Sequence, residues 1–246
     1  AFQQFGFEPK PGEAFRRIGR IDLACRETGF CSPQTSRLSE GLDLYDPQFS
    51  PQGYQLLMSG SNSTSGSGAP DIFLLAFSPE GVPGEVVNLS NTDQISELFP
   101  RWIPKIGQVI ALCPVDKTEA RKAICIYDPV SGERQESAVI TLQNSNFLNY
   151  QVSPQGDRMV GLNINNSAGG KGELELRLID FDGNAGPALV SSRWFDGFRL
   201  SEDEGYLAYL EENGRRLSLI RLLEGASALV YQANVPGSLT WFSWVP

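Results

Sequence analysis

An all-β fold, most simply a single β-propeller of five four-stranded blades, is what this sequence predicts. Three observations lead there. A short motif recurs at blade-length spacing, β-type runs follow each copy in the same order, and 25 Gly and 16 Pro in 246 residues supply the turns.

The motif is clearest in Asp46-Pro47-Gln48-Phe49-Ser50-Pro51-Gln52-Gly53 and Tyr150-Gln151-Val152-Ser153-Pro154-Gln155-Gly156-Asp157. Phe198-Arg199-Leu200-Ser201-Glu202-Asp203-Glu204-Gly205 is a third copy, Pro100-Arg101-Trp102-Ile103-Pro104-Lys105-Ile106-Gly107 a looser one, and Leu239-Thr240-Trp241-Phe242-Ser243 a copy cut short. With Ser50, Ile103, Ser153, Ser201 and Ser243 equivalent, the steps are 53, 50, 48 and 42 residues. Pro fixes φ and Gly accepts a left-handed backbone, so each copy reads as the turn from the innermost strand into the second.

The runs behind the copies fill four blades. The first predicts strands at 54–60, 71–78 and 85–90; the second at 108–114, 123–128 and 136–142; the third at 157–165, 173–181 and 186–192. The fourth has 206–212, 216–223 and 226–232, with Asn213-Gly214 as a two-residue hairpin signal. A fifth blade combines strand 238–245 with strands such as 17–25 and 31–38, so that residues 1–40 complete a blade closed by both termini and the whole chain, 1–246, is one domain. Six blades are the structural alternative.

At the Phe-Ser-Pro-Gln-Gly and Val-Ser-Pro-Gln-Gly-Asp segments, each followed by an apolar strand, the chain resembles the TolB-like propeller repeat of bacterial envelope proteins. The resemblance covers about residues 44–246, without the α/β domain that precedes the propeller in TolB. It implies a propeller fold and an envelope setting. Function is not implied, because such repeats occur in translocation proteins, lipoproteins and the non-catalytic domains of peptidases.

Composition narrows the function classes. A net charge of −9 disfavours nucleic acid as a partner, and Arg16, Arg17 and Arg20 are interrupted by acids. No run of 18 apolar residues is present to span a bilayer, so the chain is not expected to be membrane-embedded. There is no histidine, so Ser-His-Asp and Cys-His arrangements and His-ligated metal sites cannot be assembled. Neither cofactor nor metal is expected.

The four cysteines fall into two close pairs, Cys25 with Cys31 and Cys113 with Cys125, each placed to close across a hairpin. Disulfides there imply a periplasmic or extracellular location; the alternative is four buried thiols. Ala1 is what a mature, cleaved protein shows, and equally what an expression product shows.

The first residues of the inner strands form the candidate recognition surface: Tyr45, Asp46, Arg101, Asn149, Tyr150, Phe195 and Asp196, with Phe99, Trp102 and Trp194 beside them. Trp102 reads as packing between blades, since it matches Phe49 and Phe242. Segments 61–70, 115–122 and 166–172 are the long loops expected on the same face, where function concentrates on a rigid scaffold. The expected role is a non-catalytic scaffold, monomeric, for another envelope protein or a small ligand.

The alternative is a carbohydrate-active propeller, a glycoside hydrolase or lyase. Such an enzyme needs paired carboxylates, and the inner-strand starts offer only Asp46 and Asp196. Asp180-Phe181-Asp182-Gly183-Asn184 has the look of a calcium loop but lacks the distal Glu, and reads as a turn. The run Ser201-Glu202-Asp203-Glu204 reads as a solvated turn.

Overall fold

The computed structural model describes residues 2–7, 14–20, 34–36, 42–62, 69–79, 82–92, 95–114, 122–131, 145–165, 172–223 and 226–239. Among them are eighteen strands and no helix. The first sheet has the order β1 (Phe2–Phe7), β2 (Ala14–Arg20), β3 (Gln34–Ser36). The second contains β4 (Leu42–Phe49), β5 (Gln55–Asn62), β6 (Asp71–Phe77) and β7 (Pro83–Asn88) in sequence order. The third has β8 (Leu98–Ile103), β9 (Gln108–Pro114) and β10 (Lys122–Tyr127).

Two further four-stranded sheets follow, β11 (Ser145–Val152), β12 (Arg158–Asn165), β13 (Glu173–Asp180), β14 (Ala185–Ser192), and β15 (Gly197–Leu200), β16 (Tyr206–Glu211), β17 (Arg216–Leu223), β18 (Ala226–Asn234). The four-stranded sheets are antiparallel meanders, as a propeller blade requires.

The strands at 108–114 and 216–223 have the expected bounds, and the other described strands of these four sheets differ at one or both ends by one or two residues. At the N-terminus, β2 starts three residues before the expected 17–25 and β3 falls within the expected 31–38; residues 21–25, 31–33 and 37–38 lie outside the described residues, and Phe2–Phe7 pairs with β2 where no strand was expected. The expected strands 136–142 and 238–245 lie outside the described residues, apart from 238 and 239, which are not in a strand.

The hairpin at Asn213-Gly214 is longer than its dipeptide predicts. Glu211 pairs with Arg216, so four residues form the loop, with Glu212, Asn213 and Gly214 all at positive φ. At the other hairpin in question, the Asp180 carboxylate accepts the backbone N–H of Asp182 and Asn184 and the Asn184 amide, which is the chemistry of a plain turn. The Asn184 side chain and these N–H groups hold the Asp180 carboxyl below its ordinary range.

Burial explains why the middle strands read as unbroken apolar runs. β9 is buried from Val109 to Pro114 and β10 from Ala123 to Tyr127, because both faces of these strands are covered. The outer strands β7 and β14 have only exposed and half-buried positions.

The chain groups into two compact units. One comprises Ala1–Trp102, Gly107–Glu119 and Ile126–Gln135; the other comprises Ile103–Ile106, Ala120–Cys125 and Glu136–Pro246. The first holds a core of Leu44, Leu56, Met58, Phe73 and Leu75, flanked by Phe49 against Phe77 at 6.0 Å between ring centres. The second is centred on Val160, Leu176, Phe198, Leu200, Leu207 and Ile220.

The repeated turn has the same bonds each time. Ser50, Ser153 and Ser201 donate N–H to the carbonyls of Gln55, Arg158 and Tyr206 at 2.8–2.9 Å, and accept the N–H of that same residue on Oγ. Gly53, Gly156 and Glu204 close the inner ring of the turn on the serine carbonyl. The serine is therefore the buried cap of the turn, a role beside the backbone freedom of Pro and Gly.

Candidate functional site

Within the first unit the inner strands β4 and β8 meet through an ion pair. Asp46 sits at φ 53° where the pairing of β4 with β5 slips between Tyr45 and Gln48. That bulge re-aims the carboxylate toward Arg101, whose Nη1 is 2.6 Å from Oδ2 and whose Nη2 is 3.3 Å from Oδ1. The fork is two-pronged, the arrangement in which Arg–carboxylate pairs are strongest. Arg101 Nη1 also donates to the Pro100 carbonyl at 2.9 Å, and Tyr45 is half-buried next to Asp46.

In the same place the Trp102 N–H donates to Gln48 Oε1 at 3.4 Å, and Trp102 is buried, as its packing position predicts. The second unit repeats this bond. Gln151 Oε1 accepts the Leu200 N–H at 3.1 Å, again between residues two and one before the turn position. Arg199 likewise repeats the Arg101 contact by donating to the Phe198 carbonyl. These bonds fasten neighbouring inner strands inside each unit.

Asn149, beside a bulge in β11, turns its Oδ1 onto the N–H of Tyr150 at 2.7 Å, and the Tyr150 side chain is buried. Phe195 is 7% exposed and meets Tyr209 edge-on at 5.7 Å, so it belongs to the core of the second unit instead of the recognition surface expected of it. Tyr150 is likewise buried, at 2% exposure.

Asp196 is held at both oxygens, Oδ1 by the Trp194 indole N–H at 2.7 Å and Oδ2 by the Gly214 N–H at 2.7 Å. It pins the four-residue hairpin to the approach of β15. Trp194 is 61% exposed on that carboxylate and is the large aromatic of this group that faces solvent.

Two acids that matter were not among the expected site residues. Glu97, the residue before β8, is 0% exposed. Its oxygens lie 2.9 and 2.8 Å from Thr92 Oγ1, 3.3 Å from the Tyr127 hydroxyl and 3.4 Å from Ser90 Oγ, while its N–H donates to the Pro70 carbonyl at 2.7 Å. Asp71, at the start of β6, contacts the same two hydroxyls at 3.1 and 3.2 Å. Burial, with the Asp71 charge adding to it, pushes the Glu97 carboxyl up to about 7.

Glu204 is the other. It occupies the glycine position of the turn at φ 57° and is 4% exposed, so the acidic run is not a solvated turn at this residue. Oε1 accepts the Gln155 N–H at 3.0 Å and Oε2 takes Arg158 at 3.0 Å from Nε and 2.9 Å from Nη2. The signal was available: aligned to its siblings, an acid stands where they carry Gly. For Glu97 the signal was fainter, a lone acid between a Ser/Thr-bearing connection and an apolar strand.

Cys113 and Cys125, on neighbouring strands, are both disulfide-bonded and buried. Cys25 and Cys31 lie outside the described residues. No helix among the described residues is long and apolar enough to cross a membrane.

The fold has many relatives among solved structures. A puromycin hydrolase superposes with a TM-score of 0.65 at 12% identity, covering 92% of this chain and 34% of that one. A protein assigned as TolB from Agrobacterium tumefaciens gives 0.63 at 14% identity, with 94% and 81% covered. An oligogalacturonate lyase in complex with manganese gives 0.62 at 9% identity, with 91% and 63% covered. No protein-family model and no curated protein sequence matches the chain. The chain thus spans about a third of the length of the puromycin hydrolase. At such identities the likeness defines the class, an all-β protein of the propeller fold, and the particular role is argued from the residues.

Proposed function

We propose that this chain is a TolB-like propeller of five blades that acts as a non-catalytic binding scaffold, for another envelope protein or a small ligand, in a periplasmic or extracellular setting. The observation that carries the reading is the state of the two inner-strand carboxylates. An acid–base pair for glycoside cleavage needs two carboxyl groups free to meet substrate. Here Asp46 is clamped by Arg101, and Asp196 bridges Trp194 and the Gly214 N–H, so each works as a structural tie.

The disulfide-bonded Cys113 and Cys125 support an oxidising compartment. On the first unit, the connection at 61–70 joins β5 to β6, and β5 ends at Asn62, which pairs with Leu42 at the start of β4. A long connection on a rigid sheet is where a scaffold recognises its partner. The test is capture from envelope extract with the native chain and with 61–70 replaced by a short turn. Retention of the same partner by both forms would sink this location.

A further inference from the structure

Two hydroxyls beside Glu97 are shared with a second carboxyl group, that of Asp71. Thr92 Oγ1 lies within hydrogen-bond distance of Asp71 Oδ1, the Ile95 carbonyl and both Glu97 oxygens, yet it has one proton to give. Ser90 Oγ touches Asp71 Oδ1 and Glu97 Oε2 with one proton, while accepting the Ile72 N–H. The Tyr127 hydroxyl reaches Glu97 as well. The titratable groups in these contacts are Asp71 on β6 and Tyr127 on β10, with Asn88, Ser90 and Thr92 as neutral partners.

A proton on Glu97 removes one of the two charges that these hydroxyls bridge. Glu97 then donates to Thr92 Oγ1, Thr92 turns its own proton to Asp71, and a single negative charge remains across the two carboxyl groups. Without that proton, two carboxylates face each other across the Thr92 and Ser90 hydroxyls, with Tyr127 also on Glu97 and the Asn88 amide and Thr92 N–H on Asp71; one of the two charges then lies on a residue shut off from solvent, the like-charge arrangement a protein interior disfavours.

We infer that Glu97 and Asp71 form a proton-operated latch, which holds the start of β8 against Pro70, just ahead of β6, when protonated and loosens it when the proton leaves to solvent. Two backbone bonds report the closed state: Glu97 N–H on the Pro70 carbonyl at 2.7 Å, and Thr92 N–H on Asp71 Oδ1 at 3.2 Å. With the Glu97 carboxyl raised to about 7 in the closed latch, the proton is gone once the pH passes neutrality.

The test is amide hydrogen exchange of the full chain from pH 4 to 9, corrected for the intrinsic rate at each pH. Protection at Glu97 and Thr92 is expected to be highest near pH 4.5, to fall by roughly tenfold or more by about pH 7, and to level off above it. E97Q is expected to abolish the fall. Y127F, which removes a donor to the ionised form, is expected to extend the fall to higher pH, and it serves where E97Q folds poorly. The same fall in E97Q, or a fall that ends at the parent's pH in Y127F, would overturn the latch.

Discussion

Glu204 reaches from the turn between β15 and β16 to the guanidinium of Arg158 on β12, with Oε2 3.0 Å from Nε and 2.9 Å from Nη2. An L residue at φ 57° carries a backbone cost on the order of 1 kcal/mol. The tie to Arg158 and to the Gln155 N–H offsets it, and this explains how the turn keeps its geometry without glycine. E204A is predicted to destabilise by about 2 kcal/mol, because the bonds go and the strain stays, with Arg158 partly open to solvent limiting the loss. E204G, which removes both, is predicted to recover about half of that. Urea midpoints of the two variants measure the difference.

Gly156 supplies the companion case. A Cβ there would come within 2.8 Å of the Lys105 backbone nitrogen and 3.0 Å of Pro104 Cδ, at φ 70°, whereas at Gly53, φ 79°, no atom lies within 4 Å. G53A should cost only the conformational part, about 1 kcal/mol. G156A should cost at least twice as much, since backbone must move. Thermal unfolding of both variants, side by side, checks the order; equal losses would mean that the Pro104–Lys105 turn yields freely.

The Asp46–Arg101 fork predicts that geometry matters beyond charge. R101Q should lose about 1–3 kcal/mol by leaving Asp46 half-buried without its counter-charge. R101K should regain less than half of that, because an ammonium lacks the planar fork whose two N–H groups match both oxygens of Asp46. Chemical denaturation of R101Q, R101K and D46N in a double-mutant cycle isolates the pair.

Glu97 also fixes a sign for global stability. Its carboxyl is raised from 4.5 to about 7 in the folded chain, so between those values the folded state holds a proton that the unfolded state has lost. Stability contributed by this group is therefore full below about pH 4.5 and is lost as pH rises toward 7, by at most about 3 kcal/mol. E97Q should match the parent near pH 4.5 and exceed it at pH 8. Unfolding free energies at the two pH values measure this; a parent that gains on E97Q as pH rises would contradict it.

Much of the architecture was legible in the residues because the Ser-Pro-Gln-Gly copies combine turn chemistry with fixed spacing, and both are local. The strands after Ser50, Ser153 and Ser201 could be placed within a few residues for that reason. What was not legible depends on approach between distant segments. Phe195 and Tyr150 look like a recognition surface until the neighbouring strands cover them, and Glu97 looks like an ordinary connection residue until Pro70, Ser90 and Tyr127 close around it. Glu204 fails for a different reason: its charge suggested solvent, while its place in the repeat demanded a left-handed backbone, and its carboxylate is tied to the turn between β11 and β12.

If Asp46 and Asp196 tie strands together and take no part in bond cleavage, as proposed, the disulfide-intact chain turns over no glycan or peptide. The direct measurement is mass-spectrometric product analysis after prolonged incubation with panels of plant and envelope oligosaccharides and of peptides. No product above the blank is predicted at any pH from about 4 to about 9, the range over which a carboxyl pair would cycle through its working protonation state. Product formation that D46N or D196N abolishes, in variants whose circular dichroism matches the parent, would contradict it.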